Sequence, residues 1–270
     1  MRKNMTEEIL KKIKQLPPLP ESAMQIEAVY QDPDSSFNDM VKILEKDPLL
    51  TADILKAANS PLYGFSREIN AISQAVGLFG MGTVRGFALA SIVKKSFALD
   101  LSPYGINNEM FSALSKKQHG LMTSWCLRKE NRLLGVLSPA AFLVEIGKVI
   151  IAQQVMADSK QEAFRDALAD LQDVELAERE VVGADTPEVS ATIFAQWKFE
   201  NQLVEVIKHC TNPDNADEEN RRAAAILNAV RAAVPINGVI TDESVAAAKE
   251  VIEKYDLDME SFDQAIENAK

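Results

Sequence analysis

Residues 47–85 read DPLLTADILKAANSPLYGFSREINAISQAVGLFGMGTVR, and this stretch decides the fold. The aspartate-proline pair at 47–48 is the usual helix cap followed by a first-turn proline, and apolar residues then recur at helical spacing. A turn at 59–61 ends this helix, a second helix is predicted to stop at Gly80, and a third is predicted over 83–97. The stretch contains no nucleophile beside a base and no cluster of metal ligands, so its pattern indicates packing and the presentation of a surface.

The same helical spacing continues through the rest of the chain, and no alternating β-branched run exceeds a few residues. We therefore predict an all-α fold. A Ser-Pro-Tyr-Gly loop at 102–105 is the expected boundary between an N-terminal helical lobe, 1–105, and a C-terminal helical bundle, 106–270. Within the second lobe, Ser138 followed by proline predicts the start of a helix over 140–155.

The charge balance excludes one class of partner. The chain carries a formal charge of -11 at pH 7, with a pI near 4.8. A nucleic-acid surface needs clustered Lys and Arg, so no nucleic-acid partner is expected. Residues 241–270 contain nine Asp and Glu against three Lys, which is more than half of the net charge. An acidic solvated face and a docking site for a basic partner both explain this tail.

Several features of the sequence bear on cellular location. Cys126 and Cys210 lie far apart and fit buried thiols in a reducing compartment. The N-terminus is charged throughout and has no apolar core, unlike a signal peptide. The longest uncharged run, 69–84, has 16 residues and contains polar side chains, which is too short and too polar for a membrane span. We therefore expect a cytoplasmic protein with no membrane contact.

Few residues suggest chemistry. His119 and His209 are the only histidines and lie about ninety residues apart, whereas a catalytic metal site usually takes three or more protein ligands. Each fits a hydrogen-bonded helix residue better. Gly80 and Gly82 follow a helix rather than a strand, which predicts a helix cap and turn and not a phosphate loop. The LPPLP segment at 16–20 is either a ligand for an aromatic groove or a rigid internal linker whose leucines pack on the core.

Four segments together resemble the HDOD family, an output domain of bacterial signalling proteins that is related to the HD metal-dependent phosphohydrolases. They are LPPLPESA at 16–23, DPDSS at 32–36, KDPLLTADILKAANSPLYG at 46–64 and AVGLFGMGTVRGFAL at 75–89. The resemblance covers most of the chain and is densest in the first hundred residues. It implies that the second lobe is a degenerate HD-like bundle and that the chain is a noncatalytic signalling module.

The resemblance also implies that the HD metal site has been dismantled. Catalytic relatives carry His-Asp before Ile-Gly-Lys, where this chain has Val144 and Glu145. Thr186 stands where relatives often have a histidine, and residues 209–210 stand where they often have His-His. No metal or other cofactor is therefore expected. The residues expected to line a remnant cleft are His119, Glu145, Lys148, Asp185 and His209.

Two functions from different classes follow. One is a noncatalytic regulatory module that contacts another signalling protein, of sensor, receiver or cyclase type, or holds a small ligand in the remnant cleft. The other is a residual metal-dependent phosphohydrolase acting on a nucleotide or cyclic dinucleotide. The interaction surface expected for the module consists of Asn59, Ser60, Tyr63, Arg67, Thr83 and Arg85. Structural roles, such as satisfying backbone groups at a helix end or pairing an arginine with a carboxylate, are the alternative for each.

Overall fold

The computed structural model of the chain describes residues 5–63, 67–95, 97 and 99–269. Within them it contains α-helices and short 3-10 turns and no β-strand, which confirms the predicted all-α class. Residues 1–4 at the charged N-terminus, Gly64 at the end of the third quoted segment, and Ser96 within the predicted helix over 83–97 lie outside the described residues.

The helices follow one another with short connections. The first seven are α1 (Glu7–Lys14), α2 (Glu21–Gln31), α3 (Phe37–Glu45), α4 (Pro48–Ala58), α5 (Ile72–Lys95), α6 (Asn108–Cys126) and α7 (Leu134–Leu143). The others are α8 (Gly147–Ala157), α9 (Gln161–Leu171), α10 (Val174–Val182), α11 (Thr186–Gln196), α12 (Asn201–Lys208), α13 (Glu218–Ala233), α14 (Asp242–Lys254) and α15 (Met259–Ala269).

Local caps set the helix starts of the deciding stretch. Asp47 Oδ1 accepts hydrogen bonds from the backbone N–H groups of Leu49 and Leu50, at 3.0 Å each. Pro48 is the first residue of α4, where its missing N–H has no intrahelical partner to lose. The predicted break at Gly80 is also confirmed, because this glycine has φ 79° and ψ 161° inside α5.

The predicted helix start at Ser138 is wrong, because α7 begins at Leu134 and carries Pro139 in its interior. Proline has no N–H to donate to the carbonyl four residues earlier, which belongs to Gly135. Arg85 Nη1 donates to that carbonyl instead, at 3.3 Å. A distant side chain thus satisfies the group that the proline leaves open. A 3-10 turn over Val144–Ile146 then separates α7 from α8.

Helices α5 and α7 touch backbone to backbone. A Cβ built on Gly82 would stand 2.6 Å from the Cα of Gly135, closer than real Cβ atoms approach. Gly82 therefore serves close helix packing, and the predicted cap and turn are made by Gly80 two residues earlier. The close approach brings Phe87 of α5 and Phe142 of α7 into edge-to-face contact, with ring centroids 5.5 Å apart.

The two predicted lobes share an extensive interface. Helix α5 packs on α2, α3 and α4 and also on α7, and α1 packs on α8 and α11. Residues 16–20 turn back onto the protein, since Leu19 is buried and the carbonyl of Pro17 accepts a hydrogen bond from Trp197 Nε1 at 3.0 Å. That contact supports the internal-linker interpretation of this segment. The boundary near 102–105 stays a prediction.

Two segments are apolar and long enough to cross a membrane by length and hydropathy alone. They are Ile72–Val93 and Asn131–Ala157, and the apolar windows within them are 61% and 94% buried inside the protein. Burial of this kind is typical of core helices. Cys126 and Cys210 are buried free thiols, as predicted. Most of the acidic side chains of α14 and α15 are exposed, which is compatible with both interpretations of the acidic tail.

Candidate functional site

The polar centre of the second half of the chain is a set of buried charges that we call the ion network. Its members are Glu145, Lys148, Glu175, Glu178 and Arg231. Lys148 Nζ lies 3.0 Å from Glu145 Oε2 and 3.2 Å from Glu178 Oε1. Arg231 Nε lies 2.7 Å from Glu145 Oε1, and its Nη2 lies 2.5 Å from Glu175 Oε1. Each cation is therefore shared between two carboxylates.

Neighbouring elements hold the network in place. Glu178 of α10 accepts hydrogen bonds from Thr186 N, Thr186 Oγ1 and Tyr104 Oη, at 2.6, 2.6 and 2.7 Å. Lys148 Nζ also donates to Thr186 Oγ1 at 3.0 Å. Ser190 Oγ donates to the carbonyl of Val144 at 2.7 Å and fixes the turn that carries Glu145. Hydrogen bonds from α11 and from the 3-10 turn Ser102–Tyr104 thus hold Glu178 and the turn before α8 in place.

The neighbouring charges of the network shift the pKa values of Glu145 and Lys148. Burial by itself would raise the pKa of Glu145, but the adjacent Arg231 and Lys148 hold that pKa well below its usual range. Burial would likewise lower the pKa of Lys148, and the carboxylates of Glu145 and Glu178 raise it above its usual value instead. Both groups are therefore ionised at neutral pH, which is the arrangement that a buried ion pair needs.

A cavity of about 420 Å³ opens onto the network. Glu145 and Lys148 line it, together with Glu175 and Arg231, which the sequence had not indicated. The lining does not include His119, Asp185 or His209. Of the five residues predicted to share a remnant cleft, this cavity brings together Glu145 and Lys148.

His119 lies on α6 but faces away from Glu145. Its Nδ1 is 2.5 Å from Tyr63 Oη, its Nε2 is 2.8 Å from Ser138 Oγ, and its ring stacks on Phe142 with centroids 3.9 Å apart. The residue before it, Gln118, is the one that faces the network, with Nε2 3.2 Å from Glu145 Oε1. Burial lowers the pKa of His119 to about 3, so it is a neutral core residue.

Asp185 and His209 also lie outside this cavity. Asp185 caps α11, with Oδ1 accepting from Glu188 N at 2.9 Å and Oδ2 accepting from Arg179 Nη2 at 2.5 Å. Both of its oxygens are therefore occupied. His209 follows the end of α12, and its Nε2 is 3.3 Å from Glu205 Oε2. Across the described parts of the chain, no three His, Cys, Asp or Glu side chains form a group that could hold a metal ion.

The expected interaction surface divides into accessible and buried residues. Arg67 is exposed and Ser60 is half-buried. Asn59 takes the structural role, because its Nδ2 donates to the carbonyls of Leu55 and Ile69, both at 2.9 Å, and its Oδ1 accepts from Ile69 N at 2.8 Å. These bonds close the loop between α4 and α5. Tyr63, half-buried, is held by its hydroxyl on His119.

Thr83 and Arg85 cannot belong to a surface, because they are 1% and 0% exposed. The guanidinium of Arg85 pairs with Glu27 at 2.6 Å and with Glu200 at 2.7 Å, and it lies over the Tyr30 ring, 4.1 Å from the centroid. It thus ties α2 and the start of α12 to α5. This is the carboxylate pairing that was the structural alternative.

Comparison with known proteins identifies the family. The sequence matches the HDOD domain over residues 16–213. This chain belongs to the HDOD family. The match begins at the LPPLP segment and ends before α13, so Arg231 of the ion network lies beyond it.

Solved structures share the HDOD fold. A Shewanella amazonensis protein named as a candidate phosphohydrolase aligns with a TM-score of 0.73 and 25% identity, covering 98% of this chain and 94% of that one. A Marinobacter aquaeolei protein named as a candidate signal transduction protein aligns with a TM-score of 0.71 and 21% identity, covering 98% of this chain and 60% of that one. An uncharacterized Treponema pallidum protein is 32% identical over 73 residues, which span 27% of this chain and 14% of that protein.

The relation of HDOD proteins to HD phosphohydrolases implies a metal site, and the residues here do not fit one. The valine at 144 offers no lone pair where those enzymes have histidine. Glu145 is engaged by two cations, which would repel a divalent ion placed beside them. Burial raises the pKa of Cys210 to about 12, so in the metal-free protein this thiol is protonated near neutral pH.

Sequence reasoning missed Gln118, Tyr104, Glu175, Glu178 and Arg231. One signal was present for Arg231, because it is the sole charged residue of the Ala-rich segment 223–234. A charge in a helix that is otherwise buried usually has a buried partner. Glu175 and Glu178 follow Asp173 in an acidic helix and gave no comparable signal, because their burial depends on how α10 packs.

Proposed function

We propose that this HDOD chain is a noncatalytic signalling module. It acts by contacts with another signalling protein, of sensor, receiver or cyclase type, or through a small ligand, and does not hydrolyse phosphoesters. Membership of the HDOD family supports the signalling role. The name of the Marinobacter relative, a candidate signal transduction protein, points the same way.

One observation carries the noncatalytic part of the proposal. At the position of the HD aspartate, Glu145 is 3.0 Å from Lys148 Nζ and 2.7 Å from Arg231 Nε. Two protein cations therefore occupy the positions around this carboxylate that a metal would need. Hydrolysis in the HD superfamily depends on metal ions that activate water and stabilise the charge on the phosphoryl oxygens. The two cations of the ion network are paired with three carboxylates, and they provide neither that Lewis acidity nor a bound hydroxide.

The residual phosphohydrolase stays the second candidate, because the Shewanella relative is named as a candidate phosphohydrolase and aligns over 94% of its own length. That function would require the 420 Å³ cavity above the network to hold metal and substrate together. Lys148 and Arg231 would then have to move away from Glu145.

Turnover separates the two candidates. The purified chain is assayed with Mn²⁺ or Mg²⁺ against nucleoside phosphates, cyclic dinucleotides and p-nitrophenyl phosphate. We expect no turnover above the rate of the metal ion alone. Turnover that Glu145→Gln abolishes and the surface control Glu260→Gln preserves would establish a divergent hydrolase and overturn the proposal.

A further inference from the structure

A second concave region is lined by Phe142, three residues before Glu145 of the ion network. It consists of two adjoining cavities of about 290 and 240 Å³, which share Lys56, Ala57, Lys116 and Phe142. We call it the lysine groove. It runs between the ends of α4 and α5 and the middle of α6.

The floor of the lysine groove is apolar and aromatic. Ala57, Phe87, Ala90 and Phe142 line it. Phe87 and Phe142 are in edge-to-face contact, and Phe142 is held from behind by the stacked ring of His119. Phe87 and Phe142 are only 3% and 7% exposed, so the floor presents narrow ring edges and methyl groups that an apolar edge of a ligand can contact.

The rim of the groove is cationic. Lys95 Nζ lies 2.8 Å from Asp53 Oδ2. Lys56 and Lys116 are both exposed and take part in none of the ion pairs formed by the described residues. Among the described residues that line the groove, three cations thus face one carboxylate, in a chain whose formal charge is -11. This local excess of positive charge selects an anionic occupant.

Helix stabilisation accounts for only part of this rim. Lys56 and Lys95 lie in the last turns of α4 and α5, where a cation interacts favourably with the helix dipole. Lys116 lies near the middle of α6 (Asn108–Cys126), where no such interaction is available. The helix dipole therefore does not account for Lys116, which lines the groove beside the other two lysines.

We propose that the lysine groove binds a small organic phosphate. Its planar or apolar part would rest on Phe87 and Phe142, and its phosphate would be held by Lys56, Lys95 and Lys116. Each cavity is close to the lower end of the range for ligand sites, which is about 300–1,000 Å³. Lysines bind phosphate as point charges and need no fixed geometry. In the ion network, by contrast, an anion would have to displace carboxylates from both cations.

This site goes beyond the function proposed above and does not depend on it. The groove could bind its ligand whether or not the 420 Å³ cavity supports hydrolysis. Ser60 and Tyr63, from the expected interaction surface, line the smaller cavity of the groove, so a bound phosphate would sit beside them. The binding test therefore fails or succeeds separately from the turnover test.

Calorimetry on the full chain tests the proposal with AMP, GMP and UMP as probes. Adenosine lacks the phosphate and ribose 5-phosphate lacks the base, so both should bind at least about tenfold more weakly than AMP. Lys116→Gln should weaken AMP binding by about tenfold or more. The matched control is Lys117→Gln, because Lys117 Nζ donates to the carbonyl of Gly238 at 2.8 Å and does not line the groove.

Several results would overturn the proposal. One is that none of the three nucleotides binds at millimolar concentration. Another is that Lys116→Gln, or Lys56→Gln if the first variant does not fold, binds AMP as the wild type does. A third is that an oligoglutamate peptide binds more tightly than AMP and loses its affinity in Lys116→Gln, which would assign the groove to an acidic protein partner.

Discussion

The ion network and the lysine groove both use residues of the segment 142–148, and they differ in how their cations are paired. In the network, Lys148 and Arg231 have side chains only 2% and 9% exposed, and each is shared between carboxylates. In the groove, the lysines are exposed and outnumber the one carboxylate. A buried cation must be paired for the chain to fold, whereas an exposed cation is solvated and stays available to a ligand. The comparison therefore assigns structure to the first region and binding to the second.

The largest effect should come from breaking the network. Arg231→Met leaves the buried Glu145 and the partly exposed Glu175 without their shared cation, so we expect the free energy of unfolding to fall by about 3–5 kcal/mol. Urea denaturation measures this change. The control Lys42→Met removes a lysine whose side chain is 72% exposed, and it should leave the urea midpoint almost unchanged. If Arg231→Met were as mild as the control, the network would not be part of the structure.

The next effect concerns the helix pair on which both regions depend. Gly82→Ala would force α5 and α7 apart, so we expect a loss of about 1–3 kcal/mol in the free energy of unfolding. Gly77→Ala on the same helix is the matched control, because nothing lies within 4 Å of the added Cβ. That substitution should stabilise the protein by about 0.4–1 kcal/mol. Equal effects at both positions would contradict the backbone contact between α5 and α7.

A smaller effect, on the pH dependence of the free energy of unfolding, distinguishes a buried neutral His119 from a metal ligand. Its pKa is about 3 in the folded protein against 6.5 ordinarily, so the unfolded chain binds one more proton between these values. Stability contributed by the neutral imidazole is present above pH 6.5 and is lost as the pH falls. Between pH 7 and 5 this loss is about 2 kcal/mol.

Between pH 7 and 5, the free energy of unfolding of His119→Gln should therefore fall by about 2 kcal/mol less than that of the wild type. Burial raises the pKa of the neighbouring Tyr63 far above this range, so Tyr63 does not titrate there. Urea denaturation at pH 7, 6 and 5 gives the slope for both proteins. Parallel slopes would show that His119 is not a buried neutral base.

The smallest effect on stability should come from the groove. Lys56→Gln and Lys116→Gln should each change the free energy of unfolding by less than about 0.5 kcal/mol, because both side chains are exposed. A large loss in either variant would show that these lysines hold the fold together, as those of the network do. The contrast between the two regions would then disappear.

The sequence predicted what local signals determine. The cap at Asp47 and the break at Gly80 depend on neighbouring residues only, and both are in the structure. The start of α7 was missed because Arg85, fifty residues away from Gly135, satisfies the carbonyl that Pro139 leaves open. Such compensation exists only in the folded chain.

The candidate site was predicted less completely, for a related reason. Gln118 and His119 are adjacent on α6, and the rotation of the helix decides which of them faces Glu145. Arg231 lies 86 residues from Glu145 in sequence, so only the packing of α13 brings the two together. The resemblance to the HDOD family indicated that the metal ligands were lost, but not which residues replaced them.

Binding of Mn²⁺ is the most direct test of the claim that protein cations replace the metal at Glu145. Isothermal titration of the chelator-treated full chain with Mn²⁺ measures affinity and stoichiometry without relying on a substrate. The ion network predicts no stoichiometric binding, and the same trace for the wild type and Glu145→Gln. One or two Mn²⁺ bound per chain and lost in Glu145→Gln would contradict it, because Glu145 would then be a metal ligand.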